Sequence, residues 1–246
     1  MKKKDAPDNE NIFSIPQLVT NIALMNLTEK VNNFEKKQKE TYEMAAQSIL
    51  LALDMKDAYT FGHSTRVAFY SKQVGMEMGL STEELYQLEL ASLFHDIGKI
   101  GVPDNILLKP GRLNKDEFDV MKTHPGRSEE ILSSFTPFKE IAKYARHHHE
   151  RYDGKGYPDH IKGEDIPYFS RIILISDTFD AMTSTRPYRD GLPYKVAFSE
   201  LIEFAGSQFD PKLSNYFIKA MEKDEKKKEN LFNLTIIQGE FNKKAA

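Results

Sequence analysis

The sequence has no cysteine, which excludes disulfides, thiolate metal sites and cysteine nucleophiles. Any metal must therefore be held by histidine, aspartate or glutamate, a donor set that suits manganese, iron, zinc and similar ions. The chain also has little excess charge, since its formal net charge is -3. This balance argues against broad electrostatic binding to a nucleic acid polymer or an anionic membrane. A small anionic substrate is not excluded, because its binding depends on local fields.

Long apolar runs are absent as well. The basic segment 1–4 is followed by no apolar signal core or membrane-spanning stretch, so we expect a cytoplasmic location. The 246 residues, of which 40% are hydrophobic and 29% charged, suit a soluble globular domain with an extension. We expect an N-terminal helical extension or linker over 1–40, the main domain over 41–222 and a charged tail over 223–246.

Helical periodicity dominates the rest of the chain. The charged leader from about Pro16 to Lys39 predicts a solvated helix, which either joins the domain to a partner or a second copy of the chain, or is only a surface helix. Apolar residues then recur at helical spacing from Tyr42 to Leu53 and from His63 to Met78, which predicts two amphipathic helices.

Two capping-box signatures begin at Ser81 and Asn114, each with a glutamate three residues later, and predict two further helices. The first helix is expected to carry the adjacent pair His95–Asp96 and to end at Gly98. The second is expected to reach His124, just before a proline.

Segment 171–177, RIILISD, is ambiguous, because a buried strand that ends in an acid is typical of many phosphate-handling α/β enzymes. No glycine-rich phosphate loop with a lysine and a serine or threonine accompanies it, and the other strong segments are helical. We therefore predict a helix that continues through Thr183, after a loop at 153–167, and an all-α fold.

His95 and Asp96 lie at the end of an apolar run and offer two kinds of metal ligand from one short piece of backbone. The carboxylate can bridge two ions, which an imidazole cannot do. Lys99 follows one helical turn later, where it is placed to meet an anion. Among the seven histidines, His63 and His124 also fall at helix ends. A lone histidine on an apolar face is usually a hydrogen-bonded core residue, but burying several is costly unless a shared metal satisfies them.

The consecutive residues His147, His148 and His149 cannot all converge if they are helical, because neighbours on a helix are about 100° apart. His148 continues the apolar stripe that includes Ile141 and is the safest candidate ligand. The pattern favours His149 only weakly over His147, which is expected to support a ligand or to lie on the surface.

Asp177 follows the apolar run of its predicted helix, where a buried carboxylate needs a partner. A metal ion or an arginine would serve equally. Asp180 is the local competitor, but it lies about 300° further round the helix and is expected to be less tied to the same site.

Together these residues resemble the HD-GYP family, a branch of the HD metal-dependent phosphohydrolases. The resemblance covers roughly Tyr42 to Phe217, and the name corresponds to His95-Asp96 and Gly156-Tyr157-Pro158. The matching stretches are YTFGHSTRVA (59–68), LFHDIGKIGVPDNILLKPGRL (93–113), MKTHPGRSEEIL (121–132), HHERYDGKGYP (148–158), GEDIPYFSRIILISDTFDAMTSTRPYR (163–189) and FDP (209–211).

The resemblance implies an HD-type helical bundle with a GYP loop that holds two divalent metal ions. Iron or manganese is favoured, with zinc, nickel or cobalt as alternatives. One ion would be bound by His63, His95, Asp96 and Asp177, and the other by Asp96, His124, His148 and His149, so that Asp96 bridges them. Some family members are thought to bind a third metal through a glutamate one turn before the first histidine. This chain has Tyr59 there, which favours two metals.

Family members of this type hydrolyse the bacterial second messenger cyclic di-GMP, and the products would be pGpG, GMP or both. Two divalent ions outweigh the negative charges of Asp96 and Asp177, so a bridging water would lose a proton near neutral pH and attack phosphorus. Lys99 would stabilise the developing charge on the phosphoryl oxygens, or would only pair with Asp96.

The resemblance also implies substrate contacts. Tyr157 would cap the pocket or stack on a guanine, although its loop could be purely structural. Arg186 and Arg189 are candidates for phosphate or guanine contacts, with two surface arginines as the alternative.

Two rival functions stay open. One is an HD phosphohydrolase that acts on another nucleotide, such as a mixed cyclic dinucleotide. The other is a receptor that binds the nucleotide with little turnover and signals through a partner. A homodimer or a regulatory partner would engage the N-terminal helix.

Overall fold

The computed structural model describes residues 15–56, 62–185 and 190–225. Tyr59, Arg186 and Arg189 lie outside these ranges, as does the predicted tail beyond residue 225.

The described residues form helices and short 3-10 turns, and their only extended pairing is an isolated bridge between Ala205 and Phe209. This architecture confirms the predicted all-α fold. In chain order the helices are α1 (Ile15–Lys56), α2 (His63–Glu77), α3 (Thr82–Phe94), α4 (Asp104–Leu107), α5 (Lys115–Met121), α6 (His124–Ser133), α7 (Lys139–Arg146), α8 (Tyr168–Thr183), α9 (Tyr194–Glu203) and α10 (Pro211–Glu225). None of these described helices is long and apolar enough to span a bilayer.

Helix α1 runs without a break over 42 residues, where the sequence pattern predicted two segments. It continues because residues 17–56 contain neither proline nor glycine, the residues that interrupt helices most strongly. The chain divides into two compact units, 1–46 and 47–246. The domain boundaries predicted at 40/41 and 222/223 stay predictions.

Both predicted capping boxes are present. The Glu84 backbone N–H donates to Ser81 Oγ, and the Ser81 N–H donates back to the Glu84 carboxylate at 2.9 Å. The same reciprocal pair links Asn114 and Glu117 at 2.8 and 2.9 Å. These local bonds begin α3 and α5 at the predicted residues.

The ends of three helices differ from the prediction. Helix α3 ends at Phe94, and a 3-10 turn over Ile97–Gly101 follows, so Gly98 does not terminate the helix. His124 begins α6 rather than ending α5, because the proline after it fits a helix's first turn but not its interior. Helix α7 ends at Arg146, which leaves the three consecutive histidines beyond it.

Segment 171–177 is helical, as predicted, and belongs to α8. Its uninterrupted apolar run reflects a helix that is buried on most sides, with Ile172 and Ile173 fully buried.

Helix α2 packs against α3, α8 and α10. Its Tyr70 lies edge-on to Phe179 of α8, with ring centroids 5.2 Å apart, and Phe179 contacts Phe217 of α10 at 4.9 Å. Between α2 and α8, Ser71 Oγ donates to Ser176 Oγ at 3.0 Å. These contacts fix the two helices that supply His63 and Asp177.

Candidate metal centre

The structure brings all seven predicted ligand side chains into two groups. One contains Asp96, His124, His148 and His149, and the other contains His63, His95 and Asp177. Within each group, one nitrogen or carboxylate oxygen from every residue lies within 4.8 Å of the others. The seven residues come from α2, the turn after α3, the start of α6, the turn after α7, and α8.

Asp96 lies between the two groups. Its Oδ1 is 3.1 Å from His124 Nε2 and 3.7 Å from His148 Nε2. Its Oδ2 is 3.3 Å from His95 Nε2 and 3.9 Å from His63 Nε2. The two oxygens of one carboxylate therefore face different sets of histidines.

The turn that carries His95 and Asp96 is held against α6. Ser128 Oγ donates to the His95 carbonyl at 2.8 Å and accepts from the Gly98 backbone N–H at 2.9 Å. A Cβ at Gly98 would lie only 2.0 Å from the His124 carbonyl oxygen, so only glycine permits this approach. The close contact brings the Asp96 turn next to His124.

Three histidines orient their rings in the same way. Nδ1 of His95, His124 and His148 lies 2.7, 2.8 and 2.6 Å from the backbone carbonyl three residues earlier. A carbonyl oxygen only accepts hydrogen bonds, so each Nδ1 must carry a proton. In a neutral ring, Nε2 then has no proton and offers its lone pair. In each case this Nε2 faces Asp96, as the distances above show.

The resulting cluster leaves buried atoms without partners. His95 Nε2 and Asp96 Oδ1 are buried and have no hydrogen-bond partner. His124 Nε2 and His148 Nε2 are 3.4 Å apart, and when both rings carry a single proton at Nδ1 neither Nε2 can donate a hydrogen bond to the other. Burying unpaired polar atoms is costly. A central cation would satisfy these atoms, because ligands on one ion with bonds of about 2.1 Å lie about 3 Å apart. The residues therefore fit a divalent metal centre with nitrogen and oxygen ligands.

The protonation states of four candidate ligands in the isolated chain also suit metal binding. Burial lowers the pKa of His149 to about 3, with a further contribution from the His124 ring. Burial and the neighbouring imidazoles hold the pKa of His148 well below its ordinary value. Burial alone would raise the pKa values of Asp96 and Asp177. Lys99 and nearby histidines outweigh burial and lower the pKa of Asp96, and bonding and charge interactions with His63 do the same for Asp177. The carboxylates are ionised and these imidazoles neutral at pH 7.

Asp180 has a role that the sequence reasoning missed. Its carboxylate accepts hydrogen bonds from His63 Nδ1 at 2.7 Å and from Arg66 Nε at 2.6 Å. Asp180 therefore orients the His63 ring through Nδ1. Burial lowers the pKa of His63, but bonds to Asp177 and Asp180 outweigh it and raise the value to about 9. Asp180 was expected to be less tied to the site than Asp177, yet it contacts the candidate ligand His63, because 300° further round the helix is only 60° in the opposite sense. The i, i+3 spacing of Asp177 and Asp180 was the available signal.

The remaining predicted residues have mixed outcomes. Lys99 Nζ donates to Asp96 Oδ2 at 2.6 Å, so the pairing with Asp96 is present, and a catalytic role stays a prediction. The Tyr157 ring lies 4.8 Å from the His149 ring, at the border of the cluster. His147 does not join either group and instead contacts Asp159, with Nε2 2.9 Å from Oδ2.

This helical fold with a buried His/Asp cluster is that of the HD domain, whose family profile matches residues 47–213. The chain belongs to the HD domain family, and the predicted resemblance to its HD-GYP branch is confirmed. HD phosphohydrolases are metal-dependent, which agrees with the donor set found here.

The chain is 40% identical over 188 residues to the cyclic di-GMP phosphodiesterase response regulator RpfG of Xanthomonas campestris pv. campestris, covering 76% of this chain and 49% of that protein. It is 34% identical over 218 residues to 3'3'-cGAMP-specific phosphodiesterase 3 of Vibrio cholerae, covering 86% of this chain and 47% of that protein. The crystal structure of the V. cholerae cyclic GMP-AMP-specific phosphodiesterase V-cGAP3 has a similar fold, with a TM-score of 0.59, 22% identity and coverage of 74% of this chain and 49% of that one. The chain thus spans about half the length of these relatives.

Proposed function

We propose that this chain is a phosphodiesterase that uses two divalent metal ions to hydrolyse cyclic di-GMP to pGpG, GMP or both. The observation that carries the proposal is the position of Asp96, whose oxygens face two separate groups of candidate ligands. Relatives named as phosphodiesterases for cyclic di-GMP and for 3'3'-cGAMP support the substrate class.

In this proposal, His63, His95, Asp96 and Asp177 hold one ion, and Asp96, His124, His148 and His149 hold the other. Iron or manganese is favoured over zinc, nickel or cobalt. Such ions supply Lewis acidity toward a phosphoryl oxygen and a water that is acidic enough to act as the nucleophile near neutral pH.

The chain's own residues prepare the site for a phosphodiester. Asp96 and Asp177 are the only carboxylates in the two ligand groups, so two divalent ions would leave the centre positive toward an anionic substrate. His148 and His149 are neutral at pH 7, so no proton has to leave them before a metal binds. Lys99 is 19% exposed, and its ammonium group beside Asp96 would stabilise charge that develops on the phosphoryl oxygens.

The direct test is turnover by protein loaded anaerobically with Fe²⁺ or Mn²⁺, using cyclic di-GMP, 3'3'-cGAMP and cyclic di-AMP in parallel. We expect cyclic di-GMP to be cleaved fastest and chelation by EDTA to abolish the reaction. Faster cleavage of 3'3'-cGAMP would assign the enzyme to the mixed dinucleotide instead. Tight nucleotide binding without turnover would favour the receptor function.

We also propose that the N-terminal helix binds a second copy of the chain. Its apolar residues Leu24, Leu27, Val31 and Phe34 are 46–67% exposed and alternate at spacings of three and four, as in a coiled-coil seam. Lys30 and Glu35 flank this seam at positions that pair opposite charges between parallel helices.

Light scattering of the wild-type protein should give the mass of a dimer. The double variant Leu27→Glu/Phe34→Glu should give the mass of a monomer. Equal masses would contradict this proposal.

A further inference from the structure

Two aromatic rings from different elements lie in series beside the candidate metal centre, and only the inner one borders the ligands. Tyr157 of the GYP loop lies 4.8 Å from the His149 ring and 6.5 Å from the His124 ring. Phe118 of α5 lies 6.3 Å from Tyr157, with the two rings at 80°. The rings form a series that leads outward from the ligands to Phe118.

The inner ring is held firmly by its loop. The Tyr157 backbone N–H donates to the His149 carbonyl at 3.2 Å. Glu150 is fully buried, and its Oε1 accepts from the backbone N–H groups of Asp159 and His160 at 2.6 and 3.0 Å. Gly156 lies close to the backbone of Glu150, because a Cβ at Gly156 would be only 2.5 Å from the Glu150 Cα. Tyr157 is therefore a fixed wall beside the candidate ligands.

The outer ring, in contrast, is exposed. Phe118 is 46% exposed, and α5 buries none of its residues. The helix is organised by polar contacts, the capping box at Asn114 and the bond from Lys109 to the Glu117 carboxylate at 2.6 Å. Because these bonds do not involve the phenyl ring, α5 does not need Phe118 to form.

A cation accompanies the exposed ring. Lys122 Nζ lies 5.3 Å from the centre of the Phe118 ring and forms a partly exposed ion pair with Asp119, 2.5 Å from its Oδ1. An exposed aromatic face beside an ammonium group matches a ligand that joins a flat base to a phosphate. Stacking of one base on an aromatic side chain contributes about 1–3 kcal/mol.

We propose that Phe118 is a stacking platform for one nucleobase of the substrate, with Tyr157 as the inner wall of the same subsite. The inference rests on the proposed function for its cyclic dinucleotide, but the subsite itself would recognise any purine nucleotide whose phosphate reaches the metal centre. Lys122 beside the ring contacts the sugar–phosphate part of that nucleotide.

The test compares the binding of GMP and of ribose 5-phosphate to metal-loaded protein by calorimetry. In Phe118→Ala, GMP affinity should fall about tenfold while ribose 5-phosphate affinity and metal content stay unchanged, because only GMP has a base to stack. Phe118→Tyr keeps an aromatic face and should retain GMP affinity. Ile202→Ala, at a 61% exposed position on α9, is the matched control and should change neither affinity.

Unchanged GMP affinity in Phe118→Ala would overturn the proposal. Equal loss of GMP and ribose 5-phosphate affinity would also overturn it, since Phe118 would then act through the structure of the site. If wild-type protein cleaves no cyclic dinucleotide but Phe118→Ala loses affinity for GMP alone, the proposed activity fails and the stacking subsite stands.

Discussion

His95, His124 and His148 each find the partner for Nδ1 in their own local backbone, three residues earlier. His63 begins a helix, and its Nδ1 donates to the Asp180 carboxylate of α8. Orientation of His63 therefore depends on tertiary packing, whereas orientation of the other three is largely local. Partners of this kind fix the tautomer of a ligand and increase its basicity.

Asp180→Asn tests this dependence. The neutral amide cannot hold His63 and Arg66 through charge, so we expect metal affinity in the His63 group to fall about 10- to 100-fold. The group around His124 should retain its ion. Metal titration that resolves two binding steps is the measurement. Glu77→Gln, which removes only a surface pair with Lys223, is the control.

Two metal-binding steps of wild-type affinity in Asp180→Asn would contradict this assignment.

At the residue scale, pattern and resemblance selected seven residues whose side chains lie together in the structure, and their role as metal ligands stays a prediction. They missed Asp180 because its contribution is a bond from α8 to His63 on α2, and the spacing of Asp177 and Asp180 along α8 does not identify that partner.

At the scale of elements, the turn after α3 and the beginning of α6 form a close contact near the site. Ser128 bonds to both sides of that turn, and Gly98 has no space for a side chain. The approach of these two elements sets the separation between Asp96 and His124.

Gly98→Ala should therefore destabilise the fold by about 3 kcal/mol or more, since overpacking a rigid contact costs about 1–3 kcal/mol and this overlap is with backbone. Gly126→Ala, in α6, is the matched control. The new Cβ would contact only Arg146 Nη1 of α7, at 3.7 Å. Alanine there should stabilise by about 0.5–1 kcal/mol. Urea unfolding measures both. Equal stability of the two variants would contradict the close-approach account.

The beginnings of elements were more predictable than their ends. Capping boxes at Ser81 and Asn114 are local hydrogen bonds, so the sequence alone locates them. The ends of α3 and α7 are set by contacts of the following turns with distant elements, such as Ser128 on α6. For the same reason, the helical-wheel argument did not apply to His148 and His149, which lie in a turn where both can face the centre.

At the scale of the whole molecule, the buried histidines make the stability of the metal-free protein depend on pH. Asp177 and Asp180 raise the pKa of His63 to about 9, so the stability from its bonds is complete below pH 6.5 and is lost as pH rises through 9. His149, with a pKa of about 3, and His148 stay neutral when folded but charge when unfolded. Their effect reduces stability as pH falls below 6.5.

EDTA-treated protein should therefore unfold at a higher urea concentration at pH 7 than at pH 9 or pH 5. The same series on metal-loaded protein provides the comparison, since bound ions also stabilise the folded state by mass action. A metal-free midpoint that is higher at pH 5 than at pH 7 would show that His148 and His149 are not buried in neutral form.

The most direct test of the central claim is the metal content of anaerobically purified protein and of Asp96→Ala, with cyclic di-GMP turnover followed on the same samples. We predict about two ions per chain and release of pGpG or GMP for the wild type, and loss of both ions and of turnover in the variant, because Asp96 is the ligand that both groups share. Wild-type metal content and activity in Asp96→Ala, or no metal in the wild type under any loading condition, would contradict the account.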